Sequence, residues 1–338
     1  MAKRPTLKEV AQLANVSPAT VSLVVNHSSG GNIAISEETR QRVMAAVQQL
    51  EYYPNLAARS LRTSRTQLLA LMVHDLTNPF FSVLIREAQL TAEERGFEIM
   101  AFDCILDVNR EKRIIDSIIR RGVDGLIMVN YGMDPEIVKP VQNAQIPIVT
   151  IGPEWPGIDS FCIKEQEATR DMVKYLYQKG RRRIAHLAGE QTLLVGERRM
   201  NGYRDGLTEV GLPFRDDQVV HGQFRRSGYE DQMAHLFRTE SGYQPPDALV
   251  AASDVMAIDA IMMFKRMGLR VPDDVAVTGF DNIPQAEIIS PTLTTISTLP
   301  KQNGRMTVGM VLDRIEGKVD AEPRRVRLPG EFCLRESA

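Results

Sequence analysis

Cysteine is scarce here, with three in 338 residues, and tryptophan occurs once. Cys104, Cys162 and Cys333 are odd in number and far apart, with neither the close pairing nor the His neighbours of a zinc site. They suit a reducing cytoplasm. Long apolar runs are absent too: nowhere do about eighteen apolar residues follow one another as a membrane span needs. The opening MAKRPTLKEV has no apolar core of a secretory signal, so a cytoplasmic protein with no membrane role is expected. There is no GxSxG, no Walker loop, no GxGxxG after a first strand and no metal-spaced His pair, and His27, His74, His186, His221 and His235 are scattered. These absences argue against an enzyme, a metal site and a bound cofactor.

A large excess of one charge is also missing, since 41 Lys/Arg stand against 43 Asp/Glu. The near balance hides an asymmetry. Residues 1–66 hold eight basic residues (Lys3, Arg4, Lys8, Arg40, Arg42, Arg59, Arg62, Arg65) and four Glu, a net +4; the remainder, 33 basic and 39 acidic, is −6. A basic head on an acidic body is the electrostatic footprint of phosphate binding by the head alone. With 43% apolar residues the chain has enough hydrophobic material to bury the cores of two or three compact units.

The head reads as helices with marked ends. In TLKEVAQLANVS, Thr6 with Glu9 three residues on forms a capping-box pattern, and Leu7, Val10, Ala11 and Ala14 share one face. Asn15-Val16 makes a turn, after which Ser17 caps a second helix with Pro18 at its first position. A third helix starts at Ser36-Glu37 and runs through Val43, Val47 and Leu50. This is a helix-turn-helix pattern. Val21, Val24 and Val25 pack inward, which leaves Pro18, Ala19, Thr20, Ser22 and Leu23 facing outward, small enough to enter a major groove. In YYPNLAARSLRT, Pro54 ends an extended segment and Asn55 caps one or two turns of helix, too short to be stable alone.

The tract TLKEVAQLANVSPATVSLVVN, followed by YYPNLAARSLRT and the run QLLALMV, resembles the LacI/GalR family of transcriptional regulators over essentially the whole chain. The resemblance implies DNA contacts from Thr6, Ser17, Pro18, Ala19, Thr20, Ser22, Leu23 and Asn26 in the head. It also implies contacts from Asn55, Ala58, Arg59 and Leu61 in a minor-groove hinge helix, with Leu61 as an apolar wedge that kinks the duplex. NHSSGGNIAIS is longer and richer in Gly than the usual loop of the family.

From Gln67 short apolar runs alternate with amphipathic helices: LLALMV, FEIMAF, GLIMVN and IPIVTIG, then RIAHLAG, DALVAAS and VAVTGF. Strand-helix-strand repetition implies parallel sheets in an α/β fold, and a break around Gly157 to Ile163 divides it into two lobes around a cleft, as in periplasmic binding proteins. The expected boundaries are residues 1–51 for the helix-turn-helix domain, 52–66 for the hinge helix and linker, and 67–338 for effector binding and dimerisation. Within the last, an N-lobe covers about 67–162 and 297–326, and a C-lobe about 163–292 and 327–338.

Ligands bind beyond the carboxyl ends of such strands. By resemblance, Asn78, Phe80, Phe81, Asn130, Arg199, Phe224, Ser253 and Asp281 are the effector-binding candidates, with Arg199 and Asp281 facing each other across the cleft and the aromatics covering a sugar-like ligand. Other roles are open for them: Phe80 and Phe81 can fill core, Asp281 can cap the next helix, as Asp254 can, and Arg199 can pair with Asp205. Ile151-Gly152 and Leu193 stand where relatives carry polar or basic contacts, which weighs against a purine. One short reading head buries too little surface for genomic discrimination, so a homodimer on a near-palindromic double-stranded operator is expected. No heptad follows the last lobe, so a coiled-coil tetramer is not expected. The expected function is a repressor whose operator affinity is set by a small hydroxylated effector. The competing reading is a solute receptor of the periplasmic type with no DNA role, which has no use for the head.

Overall fold

The computed structural model describes residues 5–25, 35–53, 65–105, 107–129, 134–152, 154–224, 228–238 and 244–338. The chain forms two compact units, Met1–Thr66 and Gln67–Ala338. Asn26, Asn55, Ala58, Arg59, Leu61 and Asn130, with Lys3, Arg4 and most of the Gly-rich loop, lie outside the described residues.

In the first unit α1 (Leu7–Leu13), α2 (Pro18–Val25) and α3 (Glu37–Gln49) surround one small core of Val10, Ala11, Ala14, Val21, Val24, Val43, Ala46 and Tyr52. The capping box at Thr6 is made in both directions: the Thr6 hydroxyl accepts the Glu9 N–H at 3.3 Å, and Glu9 accepts the Thr6 N–H at 2.6 Å. Asn15 takes φ 51° between α1 and α2, a left-handed turn that Asn tolerates better than most residues. At the head of α2 the Ser17 side chain accepts the Thr20 N–H at 3.1 Å, and Ser36 does the same for Thr39 ahead of α3.

The second unit holds two parallel sheets. The first has the order β11-β5-β4-β3-β1-β2, built from β1 (Leu68–Val73), β2 (Glu98–Asp103), β3 (Gly125–Val129), β4 (Ile148–Ile151), β5 (Asp159–Ile163) and β11 (Arg325–Leu328). Its two faces are covered by separate cores, one with α4 (Pro79–Glu94) and α11 (Pro300–Ile315), the other with α5 (Val108–Arg121) and α6 (Pro135–Asn143). The second sheet has the order β7-β6-β8-β9, from β6 (Ile184–Ala188), β7 (Val219–His221), β8 (Ala248–Ala251) and β9 (Ala276–Thr278). One of its faces carries α7 (Glu165–Gln178) and α8 (Leu194–Glu209), and the other α9 (Glu230–Leu236) and α10 (Asp254–Arg266). Parallel strands buried on both faces read as continuous apolar runs, which is why LLALMV and DALVAAS were visible in the sequence.

One expectation is corrected. Gly157 to Ile163 is not a break between lobes: Asp159–Ile163 is strand β5, paired with β4 and β11 inside the first sheet. Its polar start hid it. The Asp159 side chain is fully buried and bound by Arg314 at 2.6 Å and Arg324 at 2.7 Å, so a charge inside the sheet is compensated by Arg314 of α11 and by Arg324, the residue before β11. The chain crosses to the second lobe after Ile163. It returns through β10 (Thr295–Ser297) into α11, and crosses again from β11 to β12 (Glu331–Cys333), which pairs antiparallel with β10. β5 and β11 thus keep the first lobe one and two residues longer than the sequence boundaries at 162 and 326.

Candidate DNA-reading head and ligand cleft

The head presents the end of α2 that begins at Pro18. Pro18 and Ala19 are exposed, Thr20, Ser22 and Leu23 are half-buried, and Val21 and Val24 on the opposite side are fully buried. The pattern follows from spacing: Val21 and Val24 fall three apart on the core face, so residues between and before them turn outward. The Thr20 hydroxyl sits 2.9 Å from that of Ser17, which fixes both side chains at the start of the helix. Thr6 serves as a helix cap on the same unit, and Lys8 is exposed two residues on.

In the second unit a cleft of about 700 Å³, open mouth included, lies between the two sheets at the carboxyl ends of their strands. Asn78, Phe80, Ile151 and Phe161 come from the first lobe; Val195, Arg199, Phe224, Ser253 and Asp281 come from the second. Local structure explains these positions. Asn78 caps α4 by accepting the Phe80 N–H at 3.0 Å, with Pro79 at the first helical position, and this turns the Phe80 ring toward the cleft. Ser253 caps α10, accepting the Met256 N–H at 3.4 Å. Phe224 follows β7 with φ 57°, its ring laid on Gly189, where any Cβ would stand 2.1 Å from the ring.

Phe81 departs from expectation. It is 1% exposed inside the first lobe's core, edge-on to Phe80 at 4.9 Å, and does not line the cleft. Helix geometry separates the pair: adjacent residues on a helix point about 100° apart, so one ring faces the cleft and the other the sheet.

Arg199 and Asp281 do not face each other across the cleft. Both belong to the second lobe, 3.7 Å apart on one wall. Arg199, buried on α8, donates to Glu165 at 2.8 Å and to the Ala252 carbonyl, and its guanidinium lies 3.8 Å over the Phe280 ring. Its partner is therefore Glu165, not Asp205, which instead accepts from Gln166 at 2.6 Å. Asp281 has φ 122°, a conformation that costs a non-glycine residue energy and is held by the bridge to Ser297 and by burial. Burial pushes its carboxyl well above the usual range, opposed by Arg199 and reinforced by Asp254 and Glu165. Asp254 does not reach the cleft wall; it accepts from Thr295 and from the Ile283 N–H at 2.8 Å, and burial raises it to about 6.

Sequence reasoning missed Glu165, Phe161, Thr298 and Asn303, all on the cleft wall. Glu165 stands two residues beyond β5, so the polar start that hid the strand hid this position as well. Asn303 Oδ1 and Thr298 Oγ1 are buried with no hydrogen-bond partner among the described residues, the condition of groups placed to meet a ligand. Among the described residues no cluster of metal-binding side chains occurs and no helix is long and apolar enough to cross a membrane.

Residues 6–55 match the family described as bacterial regulatory proteins, lacI family, and residues 173–338 match the periplasmic binding protein-like domain. The HTH-type transcriptional repressor CytR of Escherichia coli (strain K12) is 31% identical over 315 residues, 93% of this chain and 90% of CytR. The HTH-type transcriptional regulator CelR of Thermobifida fusca is 31% identical over 344 residues, 99% of this chain and 98% of CelR. Among solved structures, the lac repressor dimer bound to operator and the anti-inducer ONPF superposes with a TM-score of 0.85 at 27% identity, over 99% of each chain. The CelR-cellobiose complex gives 0.72 at 29% identity, over 99% of this chain and 100% of the other. With a helix-turn-helix head, a two-lobed ligand cleft and relatives of this identity over nearly their full length, the chain belongs to the LacI family of bacterial regulatory proteins and is a DNA-binding transcriptional regulator under ligand control, not an enzyme.

Proposed function

We propose that the chain represses transcription in the cytoplasm as a homodimer on a near-palindromic operator, and releases it when a small hydroxylated, sugar-like metabolite closes the cleft. Pro18, Ala19, Thr20 and Leu23 read bases, while Thr6, Ser17, Ser22 and Asn26 hold the head on the duplex. Asn55, Ala58, Arg59 and Leu61 engage the minor groove within a hinge over residues 52–66. Asn78, Phe80, Asn130, Arg199, Phe224, Ser253 and Asp281 take the effector. The observation that carries this reading is the cleft wall on which Arg199 and Asp281 stand 3.7 Å apart, in a cleft whose lining also holds the aromatic rings of Phe80 and Phe224, so that polar groups for hydroxyls and flat apolar faces for a sugar ring line one cavity. The cellobiose in the CelR complex and the operator in the lac repressor complex support the two halves.

Closing the lobes changes the angle between them, and in a dimer that shifts the spacing of the two attachment points at Gln67. Hinge helices too short to stand alone order on DNA only at the right spacing. The coupling required is about 1–3 kcal/mol and is reciprocal, so operator DNA lowers effector affinity by the factor with which effector lowers operator affinity.

Titration calorimetry of the full chain with cellobiose, ribose and adenosine, alongside gel shift on a selected operator, tests the reading. Asp281→Ala is expected to abolish effector binding while leaving operator affinity intact. Normal effector binding by that variant overturns the cleft assignment, and binding of adenosine with every sugar rejected overturns the ligand class.

A further inference from the structure

We infer that the cleft accepts ligands that donate hydrogen bonds and rejects ligands that carry negative charge, with Glu165 as the residue that sets this preference. The inference deepens the reading of the cleft as the effector site and rests on it. Among the described residues that line the cleft, the charged side chains are Arg199, Glu165 and Asp281, two carboxylates to one guanidinium. The guanidinium is turned toward the protein: one terminal nitrogen donates to the Ala252 carbonyl and the other to Glu165 at 2.8 Å. An anionic ligand would have to compete with Glu165 for that nitrogen. It would do so at a wall where the side chains of Arg199, Glu165 and Asp281 are 7%, 15% and 8% exposed and water screens little.

Two further observations agree. The Asp281 carboxyl is itself pushed toward its neutral form by burial and by Asp254 and Glu165, so the cleft already resists one negative charge and is a poor host for another. Asn303 Oδ1, on a residue 2% exposed and with no hydrogen-bond partner among the described residues, is an acceptor and calls for a donor on the ligand. Glu165 occupies the first position of α7, two residues beyond the end of β5, where the positive end of the helix favours a carboxylate beside Arg199. Both terminal nitrogens of the guanidinium are thus engaged by protein acceptors, which disfavours phosphate and carboxylate, while Asn303 Oδ1 offers an acceptor to hydroxyl and amino groups.

The test uses matched pairs of probes in titration calorimetry with the full chain: glucose against glucose 6-phosphate, ribose against ribose 5-phosphate, cellobiose against cellobionate, and adenosine against its monophosphate. In the wild type the anionic member of a binding pair is expected to be at least 100-fold weaker than the neutral one. Glu165→Gln is expected to narrow that ratio at least tenfold, whereas Glu165→Asp, which keeps the charge, retains most of it. A second readout needs no effector. In a Cys104→Ser/Cys333→Ser background, Cys162 on the cleft wall is labelled with cationic and anionic methanethiosulfonates. Glu165→Gln is expected to lower the cation-to-anion rate ratio several-fold. The inference is overturned if an anionic probe binds within tenfold of its neutral counterpart, or if Glu165→Gln leaves the ratio measured by either readout unchanged. If sugars fail and adenosine binds while its monophosphate does not, the sugar reading falls and the charge preference stands.

Discussion

Arg199→Met removes the one cation on the cleft wall among the described residues and keeps the volume of the side chain. The Arg199 side chain is 7% exposed and sits 2.8 Å from Glu165 and 3.7 Å from Asp281, so its loss leaves two buried carboxylates without their partner. Breaking a buried pair from one side costs about 3–5 kcal/mol, and the Ala252 carbonyl loses a donor as well. With a urea slope of about 3 kcal/mol/M, the unfolding midpoint at pH 7.5 falls by more than about 1 M. The loss must depend on pH. Without Arg199 the Asp281 carboxyl, already above its ordinary range, binds protons more tightly still, so its share of the penalty is full above its folded pKa and shrinks as pH falls toward the ordinary carboxylate range. Urea unfolding followed by far-ultraviolet circular dichroism at pH 7.5 and pH 5 is the measurement. Glu165→Gln added to Arg199→Met is expected to recover part of the loss at pH 7.5. An unmoved midpoint at pH 7.5, or an equal loss at both pH values, would refute the assignment of Arg199 as the compensating charge.

His186 is fully buried in the second lobe, its Nδ1 2.7 Å from the Val250 carbonyl and its ring stacked on Tyr203 at 4.9 Å, and burial lowers it from 6.5 to about 4. The unfolded imidazole therefore takes up its proton first, stability falls as pH drops from about 6.5 to 4, and by pH 5 the cost is about 2 kcal/mol; in His186→Asn that share of the acid sensitivity disappears, as urea midpoints from pH 7.5 to 5 will show. Gly189→Ala puts a Cβ 2.1 Å from the Phe224 ring and forces the ring off its seat, so effector affinity should fall at least tenfold in calorimetry with operator affinity unchanged; unaltered effector affinity excludes Phe224 from the site. Ala19→Arg adds a guanine-reading fork at the exposed start of α2, and operator selection from a random library should return a changed half-site at a nearly unchanged salt dependence. Identical selected operators would mean that α2 is not the reading helix.

Much of the head was legible because its determinants are local. The Thr6/Glu9 box, the Ser17 cap with Pro18 after it and the Val21/Val24 spacing each act within one helical turn, and the helices stand where those signals put them. The apolar runs of the body were legible for a related reason, since a parallel strand covered on both faces has no polar positions to confuse it. Strand β5 was not. Its Asp159 is tolerable only because Arg314 and Arg324, more than 150 residues later, close on it, and no local pattern announces a partner at that distance. The cleft divides the same way. Sequence placed Asn78, Phe80, Ser253 and Asp281 near strand ends and the family resemblance added Phe224, but tertiary packing alone decided that Phe81 turns into the core, that Arg199 and Asp281 share one wall, and that Glu165 accepts from the guanidinium there. Caps and periodicity are set by neighbours along the chain. Which charge meets which across a lobe is set by the crossing of α7 with α8 and the close of the second sheet, where desolvation in a shared cavity couples residues that the sequence keeps far apart.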